Sequence, residues 1–104
     1  MEFLYGNGSF TEGDQSYEGR IILSEHKLFL KGSQDDLTST YIPLEKIERI
    51  VKCGKGRLTV HVHPSLAYQY TVGIQGEERN IMELIKDIVE RRQLKKRLSL
   101  VSCS

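Results

Sequence analysis

Residues 57–89 read RLTVHVHPSLAYQYTVGIQGEERNIMELIKDIV, and the period of their apolar positions changes once, at Glu77. Before that point Leu58, Val60 and Val62 alternate with Thr59, His61 and His63. After the break at Pro64-Ser65-Leu66 the alternation resumes, with Tyr68, Tyr70, Val72 and Ile74 in phase. A period of two belongs to a strand with one buried face, so this stretch predicts an antiparallel hairpin. From Glu77 onward, Ile81, Leu84, Ile85, Ile88 and Val89 fall on one stripe at helical spacing, with Met82 at its edge. Glu77 and Glu78 stand in the first turn, where acidic side chains complement the helix dipole. The order is strands first, then one amphipathic helix.

Upstream the same alternation recurs in shorter pieces. Tyr17 to Ser24 reads as a strand with Ile21 and Leu23 on one face and Arg20, Ile22 and Ser24 on the other. Ser24-Glu25-His26 makes a turn, and Lys27-Leu28-Phe29-Leu30-Lys31 returns as the second strand of a hairpin. Gly32 to Leu37 is a polar loop. Thr38 to Leu44 suits a strand whose Pro43 marks an edge or an end. Glu45 to Val51 leads into the turn Gly54-Lys55-Gly56. At the start, Phe3-Leu4-Tyr5 suggests a short strand before a turn at Gly6-Asn7-Gly8, with Phe10 on the return. The expected fold is mainly β with one C-terminal α-helix. It is a bent antiparallel barrel or sandwich of six to seven strands capped by that helix. One domain covers 1–104, with its core at about 17–90 and a basic helix end and tail at 91–104. Parallel strand pairing would contradict this reading.

Composition sets the outer bounds. A chain of 104 residues has room for one core. With 38% hydrophobic and 28% charged residues it reads as a globular domain. No apolar run approaches the ~20 residues of a membrane span, and the first residues lack the basic and apolar regions of a secretory signal. The two cysteines, Cys53 and Cys103, read as reduced thiols of a cytoplasmic protein rather than a structural disulfide. The formal charge of +1 hides an asymmetry. Arg91, Arg92, Lys95, Lys96 and Arg97 lie within seven positions, and the rest of the chain holds ten basic against fourteen acidic residues, a net −4.

The candidate sites are few. Ile22 and Phe29 are out of phase with the inward residues of their strands and meet on the outer face of the first hairpin. There they form a protein-binding or dimer patch, or are covered by the segment around Phe3 to Tyr5. Anionic ligands have two places to go. One is the hairpin cations Arg20, Lys27 and Lys31; the other is the basic segment from Arg91 to Arg97, which suits an anionic membrane surface. That segment lacks interleaved aromatics, so specific nucleic-acid binding is not expected. Cys53, His61 and His63 do not have the paired spacing of a zinc site. The two glycine turns lack the spacing of phosphate loops. No carboxylate pair or nucleophile–base pair stands out, so neither catalysis nor a cofactor is implied.

Two runs carry a family likeness. Glu18-Gly19-Arg20-Ile21-Ile22-Leu23-Ser24, followed by Lys27-Leu28-Phe29-Leu30, resembles the opening hairpin of GRAM and bacterial PH-type domains of the pleckstrin-homology-like superfold. Tyr41-Ile42-Pro43-Leu44-Glu45-Lys46-Ile47-Glu48-Arg49-Ile50 resembles their next signature. A narrower similarity is to the N-terminal domain of the archaeal taxis adaptor CheF, through the Gly-Arg-apolar-Leu-Ser and Ile-Pro-Leu patterns. The resemblance implies a binding module. Its partner would be a protein, with self-association included, or alternatively the head groups of anionic lipids, and its place the cytoplasm or the inner membrane surface.

Overall fold

The fold follows from where the alternating runs pair. In a computed structural model, residues 2–32, 39–93 and 99–103 are described, with 92–93 and 99–103 described by their backbone. The strands are β1 (Phe3–Glu12), β2 (Gln15–Leu23), β3 (Lys27–Gly32), β4 (Thr40–Pro43), β5 (Ile47–Cys53), β6 (Arg57–Ser65), β7 (Tyr68–Gly76) and β8 (Ser99–Cys103). A 3-10 turn, Leu44–Lys46, joins β4 to β5, and the helix α1 (Glu78–Gln93) follows β7. They form one sheet in the order β4-β3-β2-β1-β7-β6-β5-β8. The expected class, mainly β with one C-terminal helix, is the class that forms.

Every pairing from β4 to β5 in that order is antiparallel. The inward residues of both halves of the sheet, such as Leu30 and Ile42 on one side and Ile50 and Val60 on the other, join one buried cluster. The sheet therefore curls on itself. Ile81, Leu84, Ile85 and Ile88 of α1 complete that cluster, and Val89 packs against it. Met82, at the edge of the stripe, stays half-exposed. The helix packs on β1, β6, β7 and the 3-10 turn. The ends of the hydrogen-bonded order are β4 and β8, so closure comes from the helix rather than from a seam of hydrogen bonds.

Two expectations are corrected. Gly6-Asn7-Gly8 is not a turn but the middle of the ten-residue β1, where the register against β2 shifts between Leu4 and Asn7. A bulge absorbs an extra residue there, and Gly6 supplies the positive φ of +80°. The turn to β2 comes later, at Gly13-Asp14. The second correction is β8. The stretch read as a tail returns as a strand parallel to β5, pairing Arg49 to Cys53 with Ser99 to Cys103. This parallel pair sits at one edge and leaves the order of the seven antiparallel strands unchanged.

A line of glycines lets the sheet bend. Gly32 faces Gly19, Gly19 faces Gly8, and Gly8 faces Gly76, across four adjacent strands. All four are in phase with inward residues: Leu30, Ile21, Phe10 and Ile74. A Cβ on Gly19 would stand 1.9 Å from the Lys31 carbonyl oxygen, and one on Gly8 2.5 Å from that of Gln75. The space above the line is used by the Ile21 side chain, and by Ile81 of α1, whose Cδ1 would lie 3.5 Å from a Cβ on Gly76.

Gly19→Ala is expected to destabilise the fold by about 2 kcal/mol or more in urea unfolding, because backbone must move to admit the methyl group. Gly73→Ala is the control: its Cβ would meet nothing closer than 3.8 Å, and its stability should stay within about 0.5 kcal/mol of wild type. Equal effects at the two positions would mean the glycine line does not set the bend.

Candidate functional site: the outer apolar row

The pleat that buries Ile21, Leu23, Leu28, Leu30 and Ile42 turns their neighbours to solvent. Ile22 of β2 stands directly opposite Phe29 of β3. On either side the row continues, with Leu4 of β1 opposite Ile22 and Tyr41 of β4 opposite Phe29. Four apolar side chains thus cross four strands, a span of ~14 Å at the usual strand spacing. Leu4 is 61% exposed and Tyr41 58%, with Ile22 and Phe29 half-buried between them. The Phe29 and Tyr41 rings stack at 4.3 Å with an interplanar angle of 12°. The Lys27 ammonium lies 5.8 Å from the centroid of the Tyr41 ring, within the range of a cation–π contact.

The Ile22/Phe29 pair is therefore on the outer face, as the hairpin phase predicts. The segment around Phe3 to Tyr5 does not fold over it. It lies beside β2 and lengthens the row through Leu4, while Tyr5 turns into the core. Leu4 and Tyr41 were not singled out by sequence. Tyr41 is legible as the residue out of phase with Ile42, whereas the glycines that follow Leu4 look locally like a turn and hide the length of its strand.

The hairpin cations do not form one cluster. Arg20 and Lys31 stand opposite each other, with Asn7 next to Arg20. They edge a groove of about 880 Å³ that runs along the glycine line and is also lined by Ser9, Glu18 and Gln75. Lys27 is at the other end of β3, ~13 Å away along the strand, beside the apolar row. Arg91 is engaged within the fold. Its guanidinium donates to the Ser24 carbonyl oxygen and lies 5.3 Å from the Phe3 ring centroid, so it fastens the helix to the β2–β3 turn. The side chain of Arg92, and Lys95, Lys96 and Arg97 altogether, lie outside the described residues.

The turn that Arg91 reaches is well built. Ser24 N–H donates to the Lys27 carbonyl at 2.9 Å, and Lys27 N–H donates to Ser24 Oγ at 3.1 Å. Tyr5 ties β1 to the same helix by donating its hydroxyl to Asp87. Burial, followed by that hydrogen bond to the Asp87 carboxylate and its charge, pushes the Tyr5 phenol well above its ordinary range. Tyr70 is also raised, first by burial and then by the charge of Glu12. Both phenols stay protonated at neutral pH. His63 Nδ1 lies 3.6 Å from Glu48. The β5–β6 register puts Cys53 beside the Gly54 turn and Ile47 opposite Val62, so Cys53 and His63 lie at opposite ends of the hairpin and are not brought together. Among the described residues no three His, Cys, Asp or Glu side chains gather in a metal-holding group, and no helix is long and apolar enough to cross a membrane.

No family model matches the chain, and no curated protein matches it. Among solved structures, the crystal structure of the C-terminal domain of an unknown protein from Leishmania infantum is similar, with a TM-score of 0.67 and 15% sequence identity. The match covers 88% of this chain and 85% of that one. At that identity the likeness is one of fold alone.

Tyr5→Phe should cost about 1 kcal/mol at neutral pH by removing the bond to Asp87. A phenol raised in the folded state stabilises fully below the unfolded value of about 10, and that contribution is lost as pH climbs toward the folded value. Wild-type stability should therefore fall above about pH 10, and fall less steeply in Tyr5→Phe. Parallel pH profiles from urea unfolding would refute this role of Tyr5.

Proposed function

We propose that this chain is a non-enzymatic protein-binding module of the pleckstrin-homology-like kind, working in the cytoplasm. The observation that carries the reading is the row Leu4-Ile22-Phe29-Tyr41, an apolar strip on a sheet face otherwise lined by polar residues such as Arg20, Lys31 and Glu18. Strands in series followed by one helix agree with the family resemblance. The partner that suits the strip is an extended segment of another protein. A stable globular interface buries ~800 Å² on each partner, more than four partly exposed side chains supply. The strip also runs out to β4, an edge of the sheet, where an added strand would continue it beyond Tyr41. Lys27 beside Tyr41 favours an acidic residue in that segment.

A second reading rests on Arg20 and Lys31, paired across the hairpin at the mouth of the glycine groove. Two adjacent cations beside a groove suit an anionic head group, and this reading would bring the domain to a membrane surface.

Displayed random peptides selected against the full chain should enrich for apolar and aromatic residues with an acidic neighbour. Their backbone NMR shifts should centre on Leu4, Ile22, Phe29 and Tyr41, and Phe29→Ala should weaken binding about tenfold or more. Titration with phosphatidylserine–phosphatidylcholine vesicles separates the alternative. Perturbation confined to Arg20 and Lys31, and reversed between ~50 and 200 mM salt, with no peptide response at the row, would replace protein binding by lipid binding. Concentration-dependent shifts of the row in the protein alone would instead make a second copy the partner.

A further inference from the structure

The chain holds two cysteines, and they are 50 positions apart in sequence. The β5–β8 register brings them together: Cys53 and Cys103 are Cα partners on neighbouring strands. Each is the last residue of its strand. Neighbouring strands lie ~4.8 Å apart, inside the ~4.4–6.8 Å Cα separation that a disulfide spans. The environment of Cys53 suits an anionic oxidant. Lys52 and Lys55 flank it, and the Lys52 ammonium is held nearby by donating to the Gly54 carbonyl at 3.2 Å. Cys53 is half-buried, so a small molecule can reach it.

We propose that Cys53 and Cys103 are a reversible disulfide-forming pair, closed by a small-molecule disulfide of the glutathione type. The thiolate of one cysteine attacks a sulfur of the oxidised reagent, forming a mixed disulfide and releasing one reduced thiol. The second thiolate attacks the protein sulfur of that mixed disulfide, forming the Cys53–Cys103 bond and releasing the second thiol. Two protons leave the cysteines and two electrons pass to the reagent, so the reagent is reduced as the protein is oxidised. The bond holds β8 on β5. In a reducing cytoplasm the same pair stays as thiols, and the disulfide's contribution to holding β8 is absent.

The full chain is incubated with oxidised glutathione, quenched in acid and digested with trypsin without reduction. The expected product is a monomer that has lost two hydrogens and yields Cys53-Gly54-Lys55 cross-linked to the peptide 98–104. Amide hydrogen exchange at Leu100 to Ser102 should slow about tenfold or more on oxidation, and dithiothreitol should restore it. Cys103→Ser should take one glutathione on Cys53 and show no slowing; Cys53→Ala, as a second variant, should behave likewise through Cys103. A wild-type protein carrying two glutathiones and no cross-link would overturn the proposal. So would a cross-link found only in dimers, or a cross-link that leaves exchange in β8 unchanged.

Discussion

Four strands come within bonding distance at a line where none carries a side chain, and most of the molecule depends on that approach. A sheet of eight strands with one helix has one face too many to bury unless it curls. The curl needs strands to pass closer than a Cβ allows. Gly19, whose added methyl would meet the Lys31 carbonyl at 1.9 Å, is the tightest point. Because Gly32, Gly8 and Gly76 continue the line, the bend runs through β3, β2, β1 and β7 rather than stopping at one strand. The space saved is filled from two directions, by Ile21 of the sheet and Ile81 of the helix. Bending the sheet and seating the helix are thus one packing event. The outer surface inherits the result: the Arg20/Lys31 groove runs along the line, and further along the same strands lies the apolar row.

The helix is held at both ends by different chemistry. Near its start the contact is apolar, Ile81 over the glycines. Near its end it is polar, Asp87 accepting from Tyr5 and Arg91 donating to the Ser24 carbonyl. Ser24 belongs to the turn between β2 and β3, the two strands at the middle of the apolar row. The helix terminus and the proposed binding strip therefore share a support. Arg91 makes that link. Its charge is committed to a backbone oxygen and an aromatic ring, and its loss would loosen a turn before it changed any surface field.

Periodicity made the antiparallel hairpins and the helix legible, because each buries one face and the alternation states which. The β6–β7 hairpin and the stripe from Ile81 to Val89 are cases in point, as is the outward phase of Ile22 and Phe29. What was illegible has a physical cause in each instance. Glycine signals both turns and bulges, and nothing local in Gly6-Asn7-Gly8 separates the two. The distinction is made by β2 and β7, which pair on either side of β1. The strand β8 is five residues long and follows a dense run of cations, so its apolar content is too small to register. Its place is fixed by the vacant edge of β5, a tertiary fact. The reach of Arg91 depended on helix length and hairpin position together, and composition made it look like its neighbours.

The edge strand β4 has a consequence for behaviour at high concentration. It is four residues long and ends in Pro43, which has no amide hydrogen to donate. An exposed strand of that kind accepts a short segment and then stops, because the ladder cannot propagate past the proline. At the other end of the sheet the outermost strand is β8, five residues long. Pro43 therefore limits how far an edge-on contact at β4 can extend along that strand.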